Sequence, residues 1–427
     1  MSGDSRYWAD RKVGIVGLGY VGLPTALSFV EIGYRVIGID LSSSRLRDIA
    51  QSRVDLIPVD LERLRKANAS DQFITTTEPR HLADVDIILI CVPTPIDSHQ
   101  VPDHSFVRDA CAEVVRAAQP GQLIVLTSTT SVGTTRSLLA EPLERAGLRV
   151  GTDVFVAFSP ERIDPANTSY PQSEVPRVVG GMTEACAMAT SRALAGMAKQ
   201  VHIVSSPEAA ELCKLLENSF RAVNVALANE FADIAGELSL DITEVIGAAA
   251  SKPYGFMPFY PGPGVGGHCI PCDPHFLLWH LRRHAIPAPL LTQAMSAIAH
   301  RPARIVQRVI EQFARKGLST NNASLLIVGV AYKPGVEDVR ETPAVEIIAQ
   351  LENFGVRVSY FDPFVKELTL PDGRVIEGDP SCDGGAYDMV LIHTLHPDFD
   401  LATISECEIV MDASYRSGLK RGTVVLA

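Results

Sequence analysis

The sequence predicts an α/β protein: two Rossmann-like doubly wound domains joined by a central helical domain with one long helix. Three observations predict it. A strand-like apolar run meets a three-glycine turn near the start, in "VGIVGLGYVGLP". Short β-rich runs alternate with helical patterns in both the first and the last part of the chain. Between them, a capping-box spacing at Ser205 and Glu208, with Pro207 beside it, opens a helical stretch reaching about Glu237.

Taken in order, "RKVGIVGLGYVGLPTALSFVEIGYRVIGID" reads as strand, turn, helix and second strand, ending in Asp40. Further strands are expected in "VDIILICVP" (85–93), "QLIVLTS" (122–128) and "VFVAFSPE" (154–161). Strands separated by helices imply a parallel sheet covered on both faces, so about the first 200 residues form one domain. The long helix follows, then a Pro/Gly/aromatic-rich loop, "KPYGFMPFYPGPGVGG". A second α/β pattern starts at "SLLIVGVAYK" (324–333), with a helix from about Pro343. Its later strands are expected in "VRVSYFDP" (356–363), "YDMVLIHT" (387–394) and "CEIVMDAS" (407–414). It lacks the three-glycine fingerprint, so a second dinucleotide held in the same way is not expected.

Composition narrows the function. At 427 residues the chain has room for two or three domains, each with its own core. A net charge of −12 argues against nucleic acid or an anionic membrane as a general partner. No apolar run is long enough to span a bilayer, and "MSGDSRYWADRK" has no apolar signal-peptide region. Eight cysteines, mostly inside apolar segments such as those of Cys91, Cys111 and Cys213, read as reduced thiols of a cytoplasmic protein.

Three segments carry chemistry. In Gly17-x-Gly19-x-x-Gly22 the first glycine permits a tight turn. The second lets a pyrophosphate approach the backbone, and the third lets helix and strand pack closely. The phosphates then meet free amides at a helix start. Asp40, eighteen residues after Gly22, is placed to accept the adenosine ribose hydroxyls and repel a 2′-phosphate, favouring NAD over NADP. Arg45 either flanks the adenine or is a solvated helix arginine.

On the long helix, Lys214 and Asn218 are four residues apart and share a face with Arg221. Their neighbours are apolar, so Lys214 either snorkels to solvent or faces a polar pocket. The third segment, "GPGVGGHCIPCDPHF" (262–276), admits three readings. A zinc site of His268, Cys269, Cys272 and His275 would crowd adjacent His and Cys ligands onto one ion, so no metal is expected. A redox Cys-x-x-Cys belongs after an early strand of a small thioredoxin-like unit, not here. The remaining reading is a single reactive thiol on a glycine-floored loop. A thiolate adds to an aldehyde to give a thiohemiacetal, whose oxidation by NAD leaves a thioester.

These residues resemble the UDP-glucose/GDP-mannose dehydrogenase family. The matching segments run nearly end to end: "GLGYVGLP" (17–24), "CVPTP" (91–95), "STTSVGT" (128–134), "SPERI" (159–163), "ELCKLLENSFRAVN" (211–224), "GPGVGGHCIPCDP" (262–274) and "YKPGVEDVRETP" (332–343). The resemblance implies oxidation of a nucleotide-sugar C6 to the carboxylate with NAD. It implies an NAD domain over 1–204, a central helical dimerisation and catalytic-loop domain over 205–310, and a nucleotide-sugar domain over 311–427. A homodimer through the central helix is the expected assembly.

Carried over motif by motif, Cys269 resembles the family's nucleophile. Lys214 resembles the cation that steadies oxyanions, with Asn218 beside it, and Asp273 a base or water-orienting group. Thr129 and Glu161 resemble the residues that hold the water attacking the thioester. Gly17, Gly19, Tyr20, Val21, Gly22, Asp40, Arg45, Pro93, Thr94, Thr129 and Arg340 are the cofactor-side residues so implied, with Arg340 alternatively at an adjacent subunit. Glu161, Arg162, Lys214, Asn218, Tyr260, Gly266, Lys333 and Arg416 are the substrate-side residues. The loop "KPYGFMPFYPGPGVGGHCIP" resembles the branch acting on UDP-N-acetylglucosamine, with UDP-glucose or TDP-glucose as alternatives. Cys272 is treated as incidental. A two-electron dehydrogenase or a silent NAD-binding scaffold are the competing classes, and neither needs Cys269.

Overall fold

The computed structural model describes residues 11–97, 99–162, 172–267, 269–419 and 425–426. The segment before Arg11, Ile163 of "SPERI" and His268 of "GGHC" lie outside the described residues. The chain divides into two compact units. One comprises residues up to 217 with 275–284, the other 218–274 with 285 onward.

The first unit is built on an eight-stranded sheet: β1 (Lys12–Val16), β2 (Arg35–Ile39), β3 (Phe73–Thr76), β4 (Ile87–Ile90), β5 (Leu123–Leu126), β6 (Phe155–Phe158), β7 (Arg177–Gly181) and β8 (Val201–Val204). Its order is β3-β2-β1-β4-β5-β6-β7-β8. The first six strands are parallel and follow the order of a dinucleotide-binding fold. β4 and β5, "IILI" and "LIVL", are buried at every residue, as strands covered on both faces must be. Not all of the sheet is parallel, as the sequence had implied. β7 runs antiparallel to β6; a buried apolar run reads the same in either direction, so strand direction is not legible in it.

The long helix Pro207–Glu237 spans about 46 Å. Its first turn is capped by Ser206, whose hydroxyl accepts from the Ala209 amide at 3.2 Å, rather than by Ser205. In the second unit the parallel sheet has the order β10-β9-β13-β14-β15. These strands are β9 (Ser324–Val328), β10 (Arg357–Phe361), β13 (Met389–Ile392), β14 (Val410–Asp412) and β15 (Val425–Leu426). A hairpin of β11 (Glu367–Thr369) and β12 (Val375–Glu377) stands apart from it. The helix Pro343–Asn353 packs on this core through Ala344, Ile347, Ile348 and Leu351.

Candidate active site

The glycine turn after β1 shows which glycine does what. Gly17 has φ +88°, and a Cβ there would lie 2.8 Å from the Cys91 carbonyl oxygen. At Gly22 a Cβ would come within 1.8 Å of the Gly17 oxygen. At Gly19 a Cβ would meet nothing within 4 Å, so the backbone is open there. The helix Gly22–Glu31 has no side chain capping its first amides, which leaves its positive end available to an anion. Asp40 accepts from the Leu18 amide at 2.8 Å on one oxygen and from the Ser42 amide at 2.9 Å on the other. Each oxygen retains acceptor capacity for a ribose hydroxyl. Arg45 lies across the turn, its Nε donating to the Leu18 carbonyl at 3.1 Å, and is not simply solvated. Tyr20 is exposed and donates to Asp55 at 3.1 Å; Val21 is half-buried, Pro93 exposed and Thr94 buried. An open glycine, an uncapped helix start and a carboxylate at the end of β2 fit an NAD molecule.

Beyond the carboxyl ends of β5 and β6 lies a polar cluster. Glu161 is buried, and its Oε1 accepts from the Arg162 amide at 2.7 Å. Lys214 donates to the Glu161 carbonyl at 2.9 Å, so its ammonium is held by the protein. Arg162 pairs with Glu217, and its NH1 donates to the Pro176 carbonyl at 2.9 Å. Thr129 is half-buried in the segment after β5. Farther along that segment, Glu211 of the long helix accepts from the Gly133 amide (2.5 Å), the Thr135 amide (2.8 Å) and the Thr135 hydroxyl (2.7 Å). Burial raises the Glu211 carboxyl to about 7 despite these donors. Burial, reinforced by the Glu161 charge and opposed by Arg177, pushes the Cys91 thiol up to about 12, so it stays protonated.

In the second unit, Cys269 is the first residue of the helix Cys269–Arg283 and is exposed, whereas Cys272 is buried. The sequence reading put this thiol on a loop; it begins a helix instead. Asp273 is buried and accepts from the Asn218 amide nitrogen at 2.5 Å. The preceding glycines are packed against other parts of the chain. A Cβ at Gly264 would lie 2.6 Å from Pro343, and one at Gly266 2.6 Å from Tyr332. The Gly267 amide donates to the Arg340 carbonyl at 2.9 Å. The Gly262 peptide is gripped on both sides, by Asn229 at 2.9 Å and by buried Arg301 at 3.0 Å. Tyr254, Phe256 and Tyr260 are exposed, while Phe259 packs edge-on against Phe220 at 5.8 Å. Lys333 sits over the Tyr332 ring at 5.6 Å, Arg340 forks onto Asp338, and Arg416 is exposed.

The structure thus joins Lys214 with Glu161 and Asn218 with Asp273. Sequence reasoning missed Glu211, Arg177 and Arg301. Glu211 had a signal: a carboxylate on the same helix stripe as Leu215 and Ala222, both buried. Arg177, inside "RVVGG", and Arg301, in an amphipathic helix, gave none.

The strand order and this turn define a dinucleotide-binding protein of Rossmann type. The family descriptions then fit along the chain. The NAD binding domain of the UDP-glucose/GDP-mannose dehydrogenase family matches residues 11–202, its central domain 208–297 and its UDP binding domain 326–416. The chain belongs to this family and is an NAD-dependent nucleotide-sugar dehydrogenase. It is similar to a UDP-N-acetyl-D-mannosamine dehydrogenase of Pyrococcus horikoshii, 31% identical over 91% of this chain and 90% of the relative. It is equally similar to a UDP-N-acetyl-D-glucosamine 6-dehydrogenase of Pseudomonas aeruginosa, 31% identical over 91% of this chain and 92% of the relative. A solved structure of a UDP-D-ManNAc dehydrogenase from Pyrococcus horikoshii superposes with a TM-score of 0.88 at 29% identity, covering 97% of this chain and 98% of that one. Among the described residues, no helix is long and apolar enough to cross a membrane.

Proposed function

We propose that the protein oxidises C6 of a UDP-linked N-acetylhexosamine, UDP-N-acetylglucosamine foremost, to the uronate through a thiohemiacetal and a thioester on Cys269. The observation that carries this is the thiol itself. Among the eight cysteines Cys269 alone is exposed, and it stands at a helix N-terminus, where the positive end of the helix dipole favours a thiolate. NAD, when bound, supplies the hydride acceptor for each of the two oxidations. The chain's residues do the rest. Lys214 stabilises the alkoxide at C6 and the oxyanion formed when the thiolate adds to the aldehyde carbon. Asn218, held to Asp273, orients the same oxygen. Glu161, with Thr129, orients the water that adds to the thioester carbonyl and takes its proton, and the C–S bond then breaks to return the thiolate. Gly17, Gly19, Tyr20, Val21, Gly22, Asp40, Arg45, Pro93 and Thr94 are assigned to NAD, with Arg340. Lys333, Arg416, Arg162, Tyr260 and Gly266 are assigned to the nucleotide sugar.

The sugar assignment rests on exposed Tyr254, Phe256 and Tyr260, whose apolar faces suit an acetyl methyl, and on the N-acetylated sugars named for the relatives. The long helix supports a homodimer. It buries small residues (Ala210, Ala222, Ala226, Ala232, Ala235) and leaves Leu216, Phe220, Leu227, Phe231 and Ile234 exposed. Such a stripe needs a partner, and a second copy supplies one. The eight cysteines, none assigned to a disulfide among the described residues, support a reducing, cytoplasmic setting.

The test is a pair of variants with a substrate panel. Cys269→Ser is expected to abolish net turnover and Cys272→Ser to retain most of it; equal, severe losses would overturn the single-thiol mechanism. A kcat/KM for UDP-glucose or TDP-glucose above that for UDP-N-acetylglucosamine would overturn the sugar assignment alone. Leu216→Glu is expected to shift the solution mass toward the monomer, and an unchanged dimer would remove the long helix from the interface.

A further inference from the structure

The antiparallel strand β7 has a chemical consequence. β6 and β7 pair Ala157 with Gly181 and Phe158 with Gly180. Each step forward on one strand is a step back on the other, so Glu161, three residues past β6, falls opposite Arg177, the first residue of β7. The Ser159 hydroxyl donates to the Val178 carbonyl at 2.9 Å, so the two segments stay close beyond β6. Arg177 NH1 donates to Glu161 Oε2 at 2.8 Å, and the two side chains are 4% and 8% exposed. Arg177 NH2 is buried with no hydrogen-bond partner among the described residues, leaving the guanidinium's charge directed mainly at this carboxylate. Among the described residues, Lys214, on its carbonyl, the Arg162 amide, on Oε1, and the Cys91 thiol at the end of β4 also face Glu161.

We propose that Arg177 is a positioning residue for thioester hydrolysis. By gripping Oε2 it fixes the plane of the Glu161 carboxylate, so that the carboxylate takes the proton of the attacking water. The step balances without redox change. The water oxygen bonds to the thioester carbon, its proton goes to Glu161, the C–S bond breaks, and Cys269 leaves as thiolate. This rests on the reading of Glu161 given above, and the experiment separates the two.

Arg177→Met, Arg177→Lys, Glu161→Gln and the double variant are incubated with NAD and UDP-N-acetylglucosamine, and the intact mass is followed. Glu161→Gln and Arg177→Met are each expected to accumulate one sugar nucleotide on Cys269, with hydrolysis slowed about 100-fold. Arg177→Lys restores part of the rate. A lone buried carboxylate weakens the fold of Arg177→Met, so the double variant, which removes both charges, carries the decision. Hydrolysis as in Glu161→Gln alone supports the assignment, whereas a further loss equal to that of Arg177→Met overturns it. Adduct in Glu161→Gln but not in Arg177→Met overturns the role of Arg177 only. Absence of adduct from Glu161→Gln overturns the reading of Glu161 and that of Arg177 with it.

Discussion

At the end of β1 the Gly17 amide donates to Ile39 at 2.8 Å and the Leu18 amide to Asp40 at 2.8 Å. At the end of β9 the Gly329 amide donates to Phe361 at 2.8 Å and the Val330 amide to Asp362 at 2.7 Å. The two sheets share one frame: strand, glycine, and an acid closing the second strand. They differ in what is left unfilled. Asp40 keeps part of its surface exposed, and Gly19 stands open. Asp362 is buried under His396 at 3.0 Å and accepts four backbone amides, from Val330, Ala331, Phe364 and Val365. Burial pushes its carboxyl up, but His396 and these amides hold it below the ordinary range. A dinucleotide site is therefore made by open acceptors and amides, and the second frame spends the same atoms on its own loops.

The largest expected effect breaks the frames apart. At Gly329, with φ +74°, a Cβ would lie 1.9 Å from the Thr394 oxygen, so Gly329→Ala is expected to cost about 4 kcal/mol or more and yield little folded protein. Gly19→Ala has open space and is expected to keep its Tm while weakening NAD binding at least about 10-fold. Calorimetry and an NAD titration check both. A Gly19→Ala protein that unfolds, or a Gly329→Ala protein that does not, would erase the distinction.

Next come pH slopes of opposite sign. Glu211 of the first unit is raised to about 7 by burial, so its folded form binds protons that the unfolded chain has lost. Its contribution is present below about pH 4.5 and is lost as pH rises through 7, about 3 kcal/mol in all. His393 of the second unit is lowered to about 4 by burial. Its contribution is present above about pH 6.5 and is lost as pH falls through 4, again about 3 kcal/mol. Urea midpoints measured from pH 4 to 8 should show Glu211→Gln removing the first slope and His393→Asn the second.

A smaller effect concerns selectivity. Asp40→Asn is expected to narrow the preference for NAD over NADP in kcat/KM by about 10-fold, since a neutral side chain no longer repels a 2′-phosphate. An unchanged ratio would show that Asp40 does not meet the ribose. The smallest sits at matched positions, for Tyr20 follows Gly17 by three residues as Tyr332 follows Gly329. Tyr20→Phe loses an exposed hydrogen bond to Asp55 and should change stability by no more than about 0.5 kcal/mol.

Much of this was legible in the sequence because it is local. Apolar runs such as "IILI" fix strands buried on both faces, and Gly17, Gly19 and Gly22 encode a turn within six residues. The capping signal before the long helix was right to within one residue, Ser206 in place of Ser205. The glycines before Cys269 were read as a floor for substrate, yet Gly264 and Gly266 lie against Pro343 and Tyr332, residues far along the chain.

The sequence alone determined the strand–turn–helix frame of each sheet, the dinucleotide turn followed by Asp40, and the long helix. Backbone sterics and hydrophobic period act over a few residues and leave their mark in a short window. Only the tertiary structure decided that β7 turns back along β6, that Arg177 meets Glu161, that Glu211 clamps Thr135 and that Asp273 meets Asn218. Those pairs join residues from 16 to 76 positions apart. Burial and distance set their charges, and neither exists until the chain has folded.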